Sequence, residues 1–147
     1  MRRFRHFFIA LALMAIFAAT GVAQCVSRTV SVSRVQGAVF DQLGRPIPDA
    51  DVSLKREGQV VASTKTDASG GFTIPISSGA YDLDAKASNF DPGFARIDVG
   101  SDLVRAVRPT HIWMILDVGS EELDQCNFTT TSRIQFEKAV RRYKQKR

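Results

Sequence analysis

The chain of 147 residues is poor in the side chains that most often carry catalysis or bind metals. It has two histidines, two cysteines and one tryptophan. A metallopeptidase would need a His/Glu/His ligand set, and His111 is the one histidine beyond the amino-terminal segment. A serine hydrolase would need a nucleophile beside a base with supporting spacing, and no Gly-x-Ser-x-Gly elbow is present. We therefore predict no catalytic residue, no metal site and no cofactor.

Long apolar runs are also scarce, and the one that stands out is Phe7 to Ala19. Three arginines precede this run, and small residues at 21 and 23 suit a cleavage site after Ala23. At about 1.5 Å per residue the run reaches roughly 20 Å, which is short of the ~30 Å hydrocarbon core of a membrane. We predict a cleaved signal over residues 1–23, a mature amino terminus at Gln24 and no membrane span after cleavage.

Export changes what the two cysteines mean. Cys25 and Cys126 lie at the two ends of the remaining globular part, and in an oxidising compartment such a pair predicts one intramolecular disulfide. The bond would close a loop of about 100 residues and stabilise the fold by up to ~4.7 kcal/mol on the chain-entropy model. The alternatives are two free thiols, a catalytic thiol, a metal pair or a lipidated Cys25. The bulky Gln24 before Cys25 argues against lipidation.

Positive charge is concentrated at the ends of the chain. The net charge is +5, but from Arg133 onward there are seven basic residues and one acidic residue. The segment between residue 6 and residue 132 has ten basic and fourteen acidic residues. The basic character therefore belongs to the signal and to the tail, and we expect no nucleic-acid partner.

The middle of the chain alternates short β-rich runs with turns of glycine, proline and aspartate. About seven such runs, with a turn every eight to twelve residues, predict an all-β, immunoglobulin-like antiparallel sandwich over residues 35–118. Residues 24–34 are a lead-in, in which Thr29 to Ser33 is either an edge strand or irregular. Pro46 and Pro48 predict a fixed loop because they remove ladder donors.

Four motifs in this region occur in a recognisable order. They are Gly37-Ala38-Val39, then Gly44 to Val52, then Thr66-Asp67 with Gly71-Phe72, then Gly79-Ala80-Tyr81. Together they resemble the carboxypeptidase regulatory-like domain, a transthyretin-like (prealbumin-like) sandwich of the carbohydrate-binding-like group. The resemblance covers Val35 to Val99 and departs at Ser78, where proline is common. It implies a non-catalytic module of the kind that accompanies metallocarboxypeptidases and bacterial outer-membrane receptors.

Two features lie beyond this resemblance. The first is Ile112 to Leu116, which is apolar on both faces and so predicts a strand that is covered on both sides or exposes an apolar patch. Its Trp113 has two interpretations, a sugar-stacking platform and ordinary packing.

The second feature is the extension over residues 119–147. Ser132 and Gln135 have capping-box spacing, and apolar residues follow at helical intervals, which predicts an amphipathic helix from about Arg133 to Lys144. The other face of this helix and the end of the chain carry Lys138, Arg141, Arg142, Lys144, Lys146 and Arg147. The apolar stripe either covers the 112–116 strand or leaves the tail as a contact arm for an anionic partner. We expect it to dock.

These observations favour an exported, non-catalytic binding or structural module of the cell envelope. The compartment is periplasmic, outer-membrane-associated or extracellular, and the expected partner is an envelope protein or polysaccharide. Candidate ligand contacts are Trp113, Arg141, Arg142 and Lys144. The alternative is a small secreted transthyretin-related hydrolase, which would need several histidines and a characteristic carboxy-terminal motif that this sequence lacks.

Overall fold

The computed structural model describes residues 29–100, 111–118 and 128–145. The predicted signal, the first part of the predicted lead-in and the predicted Cys25–Cys126 bond lie outside the described residues. The described elements, in chain order, are β1 (Thr29–Val32), β2 (Val35–Asp41), β3 (Asp51–Arg56), β4 (Gln59–Lys65), β5 (Gly71–Ile74), β6 (Gly79–Lys86), β7 (Gly93–Val99), β8 (Ile112–Leu116), β9 (Phe128–Thr130) and α1 (Arg133–Gln145).

The strands form two sheets that enclose one core. The five-stranded sheet has the order β1-β7-β6-β3-β4, and the four-stranded sheet has the order β5-β2-β8-β9. Alternation along each strand places its apolar side chains between the sheets, where Leu54, Leu83, Ile97 and Met114 are fully buried. The predicted all-β sandwich with a carboxy-terminal helix is confirmed.

One detail of that prediction needs correction. Within residues 35–118 the described strands number seven, β2 to β8, as predicted, and β1 and β9 lie outside that range. The sheets are not wholly antiparallel, however, since β1 pairs parallel to β7 and β2 pairs parallel to β8. Parallel and antiparallel strands share the same side-chain period of two, so alternation alone does not reveal the direction of a neighbour.

The turn after β2 is built around Asp41, as its Asp-x-x-Gly sequence predicts. One carboxylate oxygen, Oδ1, accepts hydrogen bonds from the backbone N–H of Leu43 (2.9 Å) and Arg45 (2.8 Å). The other oxygen pairs with Arg45 Nε at 2.6 Å. Gly44 has a φ of +78°, which a residue with a side chain adopts at a cost. This turn forms part of the seat for α1, because Gly44 approaches the side chain of Val140.

The helix α1 packs on the outer face of the four-stranded sheet, which confirms the predicted docking. Ile112, Met114 and Leu116 of β8 face the main core, while Ile115 joins a second cluster with buried residues of α1. The buried helix residues are Phe136, Ala139 and Val140, and the partly buried residues around them are Phe40, Trp113, Phe128 and Tyr143. The apolar character of β8 on both faces is thus explained by cover on both sides.

The start of α1 uses a modified capping box. The backbone N–H of Gln135 lies 3.4 Å from the Ser132 hydroxyl, but the Gln135 side chain does not return to the Ser132 backbone. Instead, Ser132 N–H donates to the Thr130 hydroxyl (3.1 Å), which donates to Gln135 Oε1 (2.9 Å). Thr130 therefore links the end of β9 to the first turn of the helix. No helix within the described residues is both long and apolar enough to cross a membrane.

Candidate functional site

The helix covers only part of the outer face of the four-stranded sheet. It packs over Phe40, Trp113 and Ile115, which follow one another toward the carboxyl ends of β2 and β8. At the opposite end of the same face, Gln36 of β2 pairs with Thr73 of β5 and lies level with His111, one step before the Gly37–Ile112 pair. The uncovered part of this face therefore presents three polar side chains in a row.

This row forms the floor and wall of an open groove with a volume of about 440 Å³. The residues that line the groove are Gln36, Gly37, Lys65, Asp67, Gly71, Phe72, Thr73 and His111. Its polar side chains include an amide, a hydroxyl, an imidazole, an ammonium and a carboxylate, so the groove offers both donors and acceptors. Among these lining residues, Lys65 carries a positive charge and Asp67 a negative charge.

The side chain of Asp67 stabilises the turn between β4 and β5. Its Oδ1 accepts hydrogen bonds from Ser69 N–H (2.8 Å), from the Ser69 hydroxyl (2.6 Å) and from Gly71 N–H (2.9 Å). The Ser69 hydroxyl, followed by the two backbone donors, lowers the pKa of Asp67 below its usual value. In the described part of the chain, no group of three or more metal-ligating side chains occurs. Asp67 is a turn residue, as its sequence context indicates.

Lys65 is the cation at the edge of the groove. Its Nζ lies 2.9 Å from Asp51 Oδ1, and both side chains are exposed. The hydrogen bond from Lys65 to Asp51, together with the charge of that carboxylate, raises the pKa of Lys65. Lys65 is therefore a charged donor at neutral pH.

His111 forms the wall of the groove nearest the helix. Its ring centroid lies 4.4 Å from that of Trp113, and its Nε2 is buried without a hydrogen-bond partner among the described residues. Burial lowers the pKa of His111, because a charged imidazolium is disfavoured where water is partly excluded. At neutral pH the groove therefore contains an uncharged imidazole.

The lowered pKa of His111 predicts a pH-dependent stability. The unfolded chain takes up a proton near pH 6.5 while the folded protein resists it, so stability falls as the pH drops below that value. We expect His111→Gln to flatten the dependence of the melting temperature on pH between about 7 and 5. His6 lies within the predicted signal, so His111 is the one histidine expected to titrate in the exported protein. Parallel pH profiles for the two proteins would contradict this assignment.

The residues proposed from the sequence as ligand contacts do not converge on one site. Trp113 packs against Phe136 at 4.9 Å and Phe40 at 5.7 Å between ring centroids, so it is part of the helix seat and only partly exposed. Arg141, Arg142 and Lys144 lie on the exposed side of α1. A role in ligand contact remains a prediction for all four.

The sequence alone did not point to the groove. Gln36, Thr73 and His111 are separated by more than thirty residues from one to the next, and only the β5-β2-β8 pairing makes them neighbours. Gln36 and Thr73 are ordinary polar residues within strands, and His111 directly precedes β8. Only the strand order would have identified these three residues as neighbours.

A second groove of about 500 Å³ lies on the five-stranded sheet. Most of its charged side chains pair with neighbouring residues of the sheet. The Arg56 guanidinium lies 4.6 Å from the Tyr81 ring centroid, and its Nη2 donates to the Tyr81 hydroxyl at 2.6 Å. Lys55 pairs with Asp84, and Arg96 pairs with Asp82 at 3.4 Å. We interpret this region as a surface network that stabilises the sheet.

Comparison with known proteins supports the family resemblance. A 70-residue stretch, 48% of the chain, is 36% identical to Structural protein 27 of a virus (isolate Australia/Victoria), and it spans only 13% of that relative. A solved structure of Klebsiella pneumoniae 5-hydroxyisourate hydrolase is 23% identical with a TM-score of 0.47, covering 67% of this chain and 97% of the hydrolase. Similarity at that level does not bear on activity. The family model for the carboxypeptidase regulatory-like domain matches residues 34–109, more than half of the sequence, and the chain belongs to this family.

Proposed function

We propose that this protein is an exported, non-catalytic module that binds a neutral polysaccharide of the cell envelope. The observation that carries the proposal is the polar groove beside α1, which the strand order assembles from Gln36, Thr73 and His111. An open concave surface with a few convergent polar groups is the usual form of a binding site.

The chemistry of the groove suits a polyhydroxylated ligand. Each sugar hydroxyl donates one hydrogen bond and accepts others, and the groove side chains supply partners of both kinds. Because Lys65 already pairs with Asp51, Asp67 is hydrogen-bonded within its own turn and His111 is neutral, the groove has no unpaired charge to attract an ion. The His111–Trp113 ring pair at its margin adds an apolar surface against which a sugar face can pack.

Two further points support binding rather than turnover. The family is a non-catalytic one, and the viral relative is described as a structural protein. In the groove, His111 has a hydroxyl neighbour in Thr73 two strands away, and Asp67 Oδ1 already accepts three hydrogen bonds. His111 and Thr73 are thus not in contact as a base and a nucleophile would be. The Ser69 hydroxyl does contact Asp67 Oδ1, but that oxygen is shared with two backbone donors of the same turn, which is the arrangement of a structural turn.

A glycan array with matched variants tests this proposal. We expect the exported protein to bind neutral glycans and the double variant Gln36→Ala/Thr73→Val to bind them about tenfold or more weakly, since two hydrogen-bonding groups are lost. The control Gln59→Ala/Thr64→Val makes the same chemical change on β4, outside the groove, and should bind normally. Equal binding by both variants, or cleavage of the bound glycan by the wild-type protein, would show that the proposal is wrong.

A further inference from the structure

The outer side of α1 has an exposed apolar residue in the first turn of the helix. Ile134 is 77% exposed, more than any other large apolar side chain of the described residues. At 3.6 residues per turn, Ile134, Lys138, Arg141 and Gln145 lie along one line of the helix. That line is opposite the seat formed by Phe136, Ala139 and Val140.

The cations around Ile134 are poorly neutralised by the protein itself. Arg133 pairs with Glu137 at 2.9 Å, and Arg141 Nε approaches the Glu137 backbone oxygen at 3.4 Å. Lys138, Arg142 and Lys144 have no ion pair with any residue that the structure describes. Glu137 is the one acidic residue of α1, so the helix carries five positive charges and one negative charge.

The packing of α1 fixes the direction in which this face points. Phe136 lies 4.8 Å from Phe40 and 4.9 Å from Trp113 between ring centroids, which sets the rotation of the helix on the sheet. Ile134 therefore cannot turn into the seat without withdrawing Phe136 from it. An isoleucine held in this position stays exposed until a partner covers it.

We propose that the outer face of α1 docks on an anionic lipid surface, with Ile134 entering the headgroup region and Lys138, Arg141 and Arg142 contacting phosphates. The charges alone would suit any polyanion, but a polysaccharide or nucleic acid offers no apolar layer for Ile134. A membrane interface has an apolar layer beneath an anionic surface, so it can accept a single apolar side chain that has cations beside it. A protein groove would take several apolar anchors at helical spacing, whereas this face has one.

This surface is separate from the proposed glycan groove. The groove lies on the sheet beside the helix, while the lipid-binding face is the side of the helix turned away from the sheet. Both can operate in one molecule, with the helix holding the sandwich at a membrane and the groove open to the envelope. The two proposals are tested separately, because their variants share no residue.

Vesicle co-sedimentation of the full exported protein tests the lipid proposal. We expect binding to phosphatidylglycerol/phosphatidylcholine vesicles that weakens with salt, and little binding to phosphatidylcholine alone. Each cation near such a surface contributes about fivefold in affinity, so Arg141→Glu/Arg142→Glu should weaken binding by roughly twenty-five-fold or more. Arg34→Glu/Lys86→Glu makes the same charge change at exposed positions of the sandwich and should stay within about threefold of wild type.

Ile134→Ser separates lipid docking from simple charge attraction. We expect about tenfold weaker vesicle binding with unchanged binding to dextran sulfate, which offers charge alone. Melting temperatures should be unchanged for all of these variants, because the substituted side chains are exposed. The lipid proposal is overturned if Ile134→Ser binds vesicles like wild type, if both charge-reversal pairs weaken binding equally, or if the wild-type protein ignores anionic vesicles.

Discussion

Replacing Phe136 with alanine should lower the free energy of unfolding by about 3–5 kcal/mol, the usual cost of emptying a buried aromatic site. The Phe136 side chain is 8% exposed and joins Phe40 and Trp113 in one aromatic cluster. Denaturant unfolding monitored by the emission of Trp113, the one tryptophan of the chain, would measure the loss. We also expect increased binding of an apolar dye such as ANS, because the seat of the helix becomes exposed.

Ile134→Ala is the matched control for this experiment. It removes a large apolar side chain from the same helix at a position that is 77% exposed, so the unfolding free energy should change by no more than about 0.5 kcal/mol. If the two variants are equally stable, α1 does not contribute packing energy to the sandwich. Deletion of residues 132–147 should have at least the effect of Phe136→Ala.

Gly37→Ala should be still more damaging and should cost more than about 4 kcal/mol or prevent folding. A Cβ at position 37 would lie 2.1 Å from the backbone oxygen of Ile112, its partner in the parallel β2–β8 pair. Backbone atoms in the middle of a sheet cannot move aside as a flexible side chain can. The expected result is separation of the two central strands of the four-stranded sheet, measured as loss of a cooperative unfolding transition.

Gly58→Ala provides the comparison for Gly37→Ala. Gly58 has a φ of +80°, and a Cβ there would have no atom within 4 Å. Its substitution should therefore cost only the backbone strain, about 1–2 kcal/mol. Equal effects of the two substitutions would mean that position 37 has more room than the β2–β8 pairing allows.

Much of the fold follows from local patterns in the sequence. Val52 and Leu54 alternate with polar residues and do face the core, and the spacing of Phe136, Ala139 and Val140 predicts the helix and its buried side. The Asp67 turn also follows from its residues, because an aspartate followed by serine and glycine can bond its own backbone. These features depend on residues close together in the chain.

Features that depend on distant residues were harder to predict. Asp84 alternates with inward-facing residues, yet it is 3% exposed because Lys55 of the neighbouring strand pairs with it. The groove was hard to predict for the same reason, because its residues are distant in the sequence and become neighbours only through strand pairing. The residues on both sides of Trp113 in the sequence are apolar, so alternation did not show which face of the sheet Trp113 lies on. The packing of α1 over β8 was needed to assign it.

Both proposed binding surfaces depend on α1 being seated on the four-stranded sheet. The seat covers one part of the outer face, leaves the groove open on the other, and turns Ile134 and its neighbouring cations outward. A Cβ at position 44 would lie 3.9 Å from the Cβ of Val140. That separation falls within the range of about 3.5–4.5 Å found across disulfide bonds.

Peptide mapping without reduction on the Gly44→Cys/Val140→Cys variant therefore tests the seat. We expect the peptides that contain positions 44 and 140 to be recovered joined in most molecules. Gly44→Cys/Ile134→Cys, in which the second thiol points away from the sheet, should leave both new thiols open to alkylation. Unlinked thiols in the first variant, or equal cross-linking in both, would contradict the docked position of the helix.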